Sequence, residues 1–245
     1  MRDGLSSLSA WTPSAATETP RHVLFWIHGG ANVLGSAGSD DALTGSMYDG
    51  QALADAENAV VVTTNYRLGA LGFLAHPSLA TESPRQASGN YGLLDIVAAL
   101  HWVQRNIAQF GGDPNKVMVF GESAGAFNTC AVLTSPLTSG LFSSAIMQSG
   151  VCSVPTKARQ EQRGVTLAAE LGCTGDAAQC LRSKPAAAFV AVQGGLSLAT
   201  SGPIDPSAFF VTRHQVCQMT NLRGDAGSSG IYRDFVGSGW SCRSG

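Results

Sequence analysis

Four short apolar runs constrain the fold most: Val23-Leu24-Phe25-Trp26-Ile27, Ala59-Val60-Val61-Val62, Val117-Met118-Val119-Phe120 and Ala145-Ile146-Met147. None contains a polar residue. Each is too short for a buried helix, three are rich in β-branched or aromatic residues, and the first ends at Gly29-Gly30. Such runs read as strands buried on both faces. Helical patterns lie between them. Ile96, Leu100, Val103, Ile107 and Phe110 recur at spacings of 4, 3, 4 and 3, which predicts one apolar helix face stopped by Gly111-Gly112. Gln51 to Ala54 predicts a shorter helix, and Ala126 to Leu133 another after the third run. Strand and helix in alternation predict an α/β fold: a mostly parallel sheet with right-handed crossovers and helices on both faces. Ligand chemistry in such sheets gathers at the carboxyl ends of the strands, which directs attention to the loops after Ile27 and Phe120.

Composition narrows the classes further. Of 245 residues, 44% are hydrophobic and 13% charged, with a formal charge of -2, so a sizeable core is expected and disorder is not. No basic patch suggests nucleic acid, and no apolar run approaches the roughly 20 residues of a membrane span. Met1 to Pro20 is polar and lacks the charged start and apolar stretch of a secretory signal. Six cysteines occur, none in a CxxC pair, so no thiolate metal site is expected. Cys173 and Cys180, seven apart, form either a small disulfide loop in an oxidising compartment or two free thiols in a reducing one. From Ala158 the chain is helical and alanine-rich, with Leu167, Leu171 and Val190 as expected core contacts. From Gly202 the pattern dissolves, and the Gly/Ser-rich stretch from Gly224 to Gly245 is assigned no regular structure.

Gly121-Glu122-Ser123-Ala124-Gly125 carries the chemistry. This G-x-S-x-G motif follows a β-branched run and precedes a helix of small residues, the strand–turn–helix setting of a nucleophile elbow. Gly121 and Gly125 are glycines because a side chain at either point would collide with a neighbouring strand or helix. The helix N-terminus beside Ser123 would favour a developing oxyanion. His28-Gly29-Gly30-Ala31 follows the first run, and its backbone N–H groups, with that of Ala124, would supply donors from a second direction.

The stretch from Phe110 to Gly125, FGGDPNKVMVFGESAG, resembles the active-serine signature of type-B carboxylesterases, the family of cholinesterases and bacterial para-nitrobenzyl esterases. Trp26 to Gly30, Tyr48-Asp49-Gly50, Asn65 to Gly69, Gly72-Phe73-Leu74, Gly89 to Asp95 and Gln148-Ser149-Gly150 agree with it, from about Leu5 to about Pro203. The resemblance implies an α/β-hydrolase fold, a Ser–Glu/Asp–His triad, a small carboxylic-ester substrate and no cofactor or metal. It places the nucleophile at Ser123 and the oxyanion donors at Gly30, Ala31 and Ala124. Glu122 becomes an acid beside the serine rather than the triad acid, and Cys173 and Cys180, followed by Leu181-Arg182, resemble a short disulfide loop of the family. Asn32 stands where the family often has an aromatic residue, which suggests a more polar entrance.

Several positions depart from the family. Asp3-Gly4-Leu5 replaces the usual Asp-Cys-Leu, and the first strands of the sheet are absent before Leu5. The triad acid and histidine belong to the family's second half. The expected organisation is therefore a partial hydrolase domain at 1–203 and an atypical tail at 204–245. His28 is expected to be structural, His76 to lie in a surface loop and His101 to be solvated off the apolar helix face. The order Ser123, Asp205, His214 suits the fold, but nothing in the tail sequence would hold His214, so no histidine is assigned to catalysis. The alternatives to an esterase are an inactive truncated product and a non-catalytic binding or adhesion relative. Localisation and oligomeric state are not legible in the chain; a secreted or periplasmic full-length protein is compatible with it.

Overall fold

A computed structural model of the chain describes residues 7–15, 17–38, 48–152, 155–196, 216–219 and 242–243. Its elements are β1 (Leu8–Trp11), β2 (Arg21–Ile27), α1 (Gln51–Glu57), β3 (Val60–Thr64), α2 (Gly69–Phe73), α3 (Pro77–Ala80), α4 (Tyr91–Asn106), β4 (Gly112–Glu122), α5 (Ala124–Thr134), β5 (Ser144–Gln148), α6 (Lys157–Glu170), α7 (Ala177–Ser183), α8 (Ala186–Leu196), β6 (Val216–Met219) and β7 (Cys242–Arg243). The sheet runs in the order β1-β3-β2-β4-β5-β6-β7. The four inner pairings are parallel and the two outer ones antiparallel.

Each apolar run became a strand. Among the strands whose burial is described, only β3 is fully buried along its length; β2 and β4 alternate. Val23, Phe25, Ile27, Val117 and Val119 lie at 0% exposure against α4 and α5. Leu24, Trp26, Met118 and Phe120 share the opposite face and are only half-buried, contrary to the expectation of strands covered on both sides. That face is covered at β3, where Gly50 at the start of α1 abuts Val61 and Trp11.

The long helix is buried as its spacing predicts at Ile96, Leu100, Val103 and Ile107, all at 0%. Burial of each such side chain stabilises the fold by about 1.5–3 kcal/mol. Phe110 departs from the pattern. The chain tightens into a 3₁₀ turn over Ile107–Phe110, whose shorter period carries Phe110 off the face; it is 39% exposed and leans on Trp102.

A second core joins α2, α6, α7 and α8 through Ala70, Leu74, Leu167, Leu171, Leu181 and Phe189. Helix α6 comes so close to Ala75 that a Cβ on Gly164 would lie 1.7 Å from its carbonyl oxygen. Leu167 and Leu171 are core residues as expected; Val190 instead faces solvent. Among the described residues two disulfides tie the chain, Cys173–Cys180 and Cys130–Cys152. Beyond Gly202, where the sequence pattern dissolves, β6 adds to the sheet beside β5, and the expectation of no regular structure over Gly224 to Gly245 is corrected at Cys242–Arg243, where β7 pairs with β6. The rest of that tail, with Asp205 and His214, lies outside the described residues, as do Asp3, Gly4 and Leu5.

Candidate active site

Strands β2 and β4 are parallel neighbours, with Ile27 opposite Gly121, so the loop after Ile27 and the turn after Glu122 emerge side by side. Ser123 sits between strand and helix at φ 54, ψ -119, a backbone region few residues with a side chain occupy. Three contacts hold it there. The Ser123 amide donates to the Gln148 carbonyl at 2.9 Å, and the amides of Ala126 and Phe127 donate to the Ser123 carbonyl at 2.9 and 3.2 Å. The flanking glycines are steric requirements. A Cβ on Gly121 would lie 2.5 Å from the Gly125 backbone, and one on Gly125 would lie 2.0 Å from the Ile27 carbonyl oxygen.

The glycine loop reaches the serine at Gly29. A Cβ there would stand 2.8 Å from the Glu122 carbonyl oxygen, 3.0 Å from Glu122 Oε2 and 3.3 Å from the Ser123 Cβ. Glu122 is half-buried beside this contact. The next three residues, Gly30, Ala31 and Asn32, all take positive φ (95, 54 and 58°), which turns the backbone sharply. No hydrogen bond among the described residues uses the amide of Gly30, Ala31 or Ala124. Ala124 is also the first residue of the 11-residue α5, whose positive end lies at Ser123. The hydrogen-bonding capacity of these three amides is thus unspent, and Gly29, the residue before two of them, reaches the Ser123 Cβ.

Buried polar groups hold the loop from behind. The Tyr66 hydroxyl shares its one hydrogen between the His28 carbonyl at 2.8 Å and Asn32 Oδ1 at 3.1 Å. Burial pushes the Tyr66 phenol upward, so it stays a donor. His28 is 1% exposed, stacks on Tyr66 at 4.5 Å between ring centroids, and its Nδ1–H donates to the Gly29 carbonyl. Asn32 is 2% exposed and pairs with Asn128 of α5. The expected polar entrance at Asn32 is therefore corrected: its amide points inward. Two motifs set apart in the sequence also meet. Asp95 accepts from the Arg67 amide (2.9 Å), Nε (2.8 Å) and a terminal nitrogen (2.7 Å), tying the Asn65–Gly69 segment to α4.

Among the described residues, no hydrogen bond joins a histidine to the Ser123 hydroxyl. His22 is exposed and His101 half-buried on α4. His76, expected in a surface loop, is buried and caps α3, where Nδ1 accepts the Ser78 amide at 3.1 Å. The Cys130–Cys152 disulfide had no signature in the sequence: 22 residues separate the pair and one cysteine lies inside a small-residue helix. It fastens α5 to the segment after β5, where Gly150 abuts Ala126 and the Ser123 carbonyl. A cavity of about 330 Å³, walled by Leu93, Val97, Ala131, Val132 and Leu137, lies toward the far end of α5 from Ser123. No group of three metal-ligating side chains and no helix long and apolar enough to cross a membrane occurs among the described residues.

A model described as the carboxylesterase family matches residues 3–215. The match extends past Pro203, where the resemblance was expected to end. The chain is 49% identical over 166 residues to a fumonisin B1 esterase of Sphingopyxis macrogoltabida, covering 67% of this chain and 29% of that protein. It is 48% identical over 149 residues to a cocaine esterase of Homo sapiens, covering 60% and 24%. It is 43% identical over 192 residues to an acylcarnitine hydrolase of Mus musculus, covering 76% and 32%. The chain thus spans less than a third of the length of these relatives.

Proposed function

Because the chain belongs to the carboxylesterase family, we propose that it carries the nucleophile and oxyanion site of a serine carboxylic-ester hydrolase. Ser123 attacks the ester carbonyl, and the amides of Gly30, Ala31 and Ala124 receive the tetrahedral oxyanion. An acyl group is held on Ser123 as an ester until water releases it. The observation that carries this assignment is the pairing of a strained Ser123 with three unspent amides at adjacent strand ends. Losing one such donor typically costs about 3–4 kcal/mol of transition-state stabilisation.

A serine hydroxyl is a weak nucleophile without a base. Turnover therefore requires an acid–histidine pair that the described residues do not bring to Ser123. The carboxylic ester is the common element in the relatives' names, and the acyl and alcohol preferences are left open. Glu122 is a neighbour of the serine rather than the triad acid. The proposed division keeps a hydrolase portion at 1–203 and a tail at 204–245; the match to residue 215 favours a boundary somewhat later. Two rivals are an inert product and a binding relative. A relative that had given up chemistry would have no use for a strained serine beside a loop of unspent amides. Hydrolysis of para-nitrophenyl acetate by the chain and by Ser123→Ala separates these cases. Turnover above background, or acetylation of Ser123 without release, that is lost in Ser123→Ala supports the assignment; a chain that shows neither, or that reacts no differently from Ser123→Ala, contradicts it.

A further inference from the structure

A loop with three consecutive positive φ values needs an anchor, and two of these three residues, Ala31 and Asn32, carry a Cβ. Within the loop, the Gly30 carbonyl accepts from the Val33 and Leu34 amides. Those bonds shape the turn but do not fix it to the serine. The link to the serine runs through side chains. Asn32 Oδ1 accepts from Asn128 Nδ2 at 2.7 Å and from the Tyr66 hydroxyl at 3.1 Å, while Asn32 Nδ2 reaches Asn128 Oδ1 at 3.4 Å. The Asn32 carbonyl accepts the Gly69 amide at 2.6 Å. Asn128 is 0% exposed on α5, the helix that starts at the serine. The two asparagines are 96 residues apart in sequence, and both are closed off from bulk solvent, at 2% and 0% exposure.

We propose that Asn32 and Asn128 are positioning residues of the oxyanion site, their amide pair setting how the Gly30–Ala31 amides stand relative to Ser123. This rests on the assignment of those amides as oxyanion donors. The roles within the pair are asymmetric. Asn32 serves chiefly as acceptor, through Oδ1, and Asn128 chiefly as donor. A displacement of about 1 Å at such a site can cost on the order of a hundredfold in rate, so one buried amide pair is enough to matter.

Two measurements on the full chain test this. The first is amide hydrogen exchange of the segment 28–35. In Asn128→Leu, this segment should exchange about tenfold or more faster, with β2 and β4 as protected as in the wild type. Unchanged exchange in 28–35 overturns the proposal. The second is the rate at which a fluorophosphonate labels Ser123, which should fall about tenfold or more in the same folded variant. Labelling at the wild-type rate overturns the positioning role. If Asn128→Leu does not fold, Asn32→Asp takes its place. A protonated Asp reproduces the amide's donor and acceptor, and its carboxylate does not. Its labelling rate relative to wild type should then fall as pH rises, and a pH-independent ratio overturns the proposal. Absence of label on wild-type Ser123 would instead sink the functional assignment, and exchange in 28–35 would still decide whether the pair pins the loop.

Discussion

Gly125 has no room for a side chain against Ile27: a Cβ would lie 2.0 Å from the Ile27 carbonyl oxygen and 2.9 Å from that of His28. The helix bearing the serine is thereby pressed onto the strand that feeds the glycine loop. Gly125→Ala should force the two apart, lowering stability by about 3 kcal/mol. The control is Gly175→Ala, where nothing stands within 4 Å of the added atom; it should change stability by less than about 0.5 kcal/mol. Urea unfolding midpoints give both values. Equal, small effects would mean the helix is not seated as described.

Asp95 satisfies the Arg67 backbone amide as well as its guanidinium. The guanidinium is half-exposed, so water can replace part of that bond, but the backbone amide has no other acceptor. Asp95→Ala should cost about 1.5–3 kcal/mol. Asp95→Asn, which keeps one oxygen, should cost less. A loss no larger for Ala than for Asn would show that the carboxylate's acceptor role is minor.

The two disulfides differ in the chain they close, 22 residues apart for Cys130–Cys152 and 7 for Cys173–Cys180. Loop entropy alone assigns about 3.4 kcal/mol to the first and about 2.5 kcal/mol to the second. Cys130→Ala with Cys152→Ala should therefore destabilise more than the matching pair at 173 and 180. The opposite ranking in thermal melts would show that local strain or residual structure outweighs loop length.

His76 supplies a pH dependence. Burial holds its imidazole below the usual histidine range, against the opposing influence of Glu161. Its neutral Nδ1 accepts the Ser78 amide. A folded-state value below the unfolded one means this contribution is fully present above the unfolded value, near pH 6.5. It is lost as pH falls through the folded value. His76→Asn, a residue that caps helices without titrating, should flatten this part of the stability–pH curve. A curve unchanged by the substitution would locate the dependence elsewhere.

Much of this was legible because strand runs and elbow residues are local signals. Val117 to Gly125 states a strand, a tight turn and a helix in nine consecutive residues, and the structure places them so. Phe110 was misplaced because periodicity assumes one helix type, and the chain changed pitch at Ile107. Asn32 was misjudged as a surface group because its partner, Asn128, lies far along the chain; His76 was misjudged because its ring is turned back onto the start of its own helix, where Nδ1 accepts the Ser78 amide. The Cys130–Cys152 link and β6 were invisible for the same reason: both are contacts between segments whose approach only the assembled sheet creates.

The central claim is that Ser123 is poised for attack beside a preformed oxyanion site, and covalent labelling reads this without requiring turnover. Incubation of the folded chain with a fluorophosphonate, followed by intact mass and peptide mapping, should show one slow, stoichiometric adduct on Ser123. It should be absent in Ser123→Ala and absent from the unfolded chain. Failure of the folded chain to label at Ser123, or equal labelling of folded and unfolded chains, would contradict it.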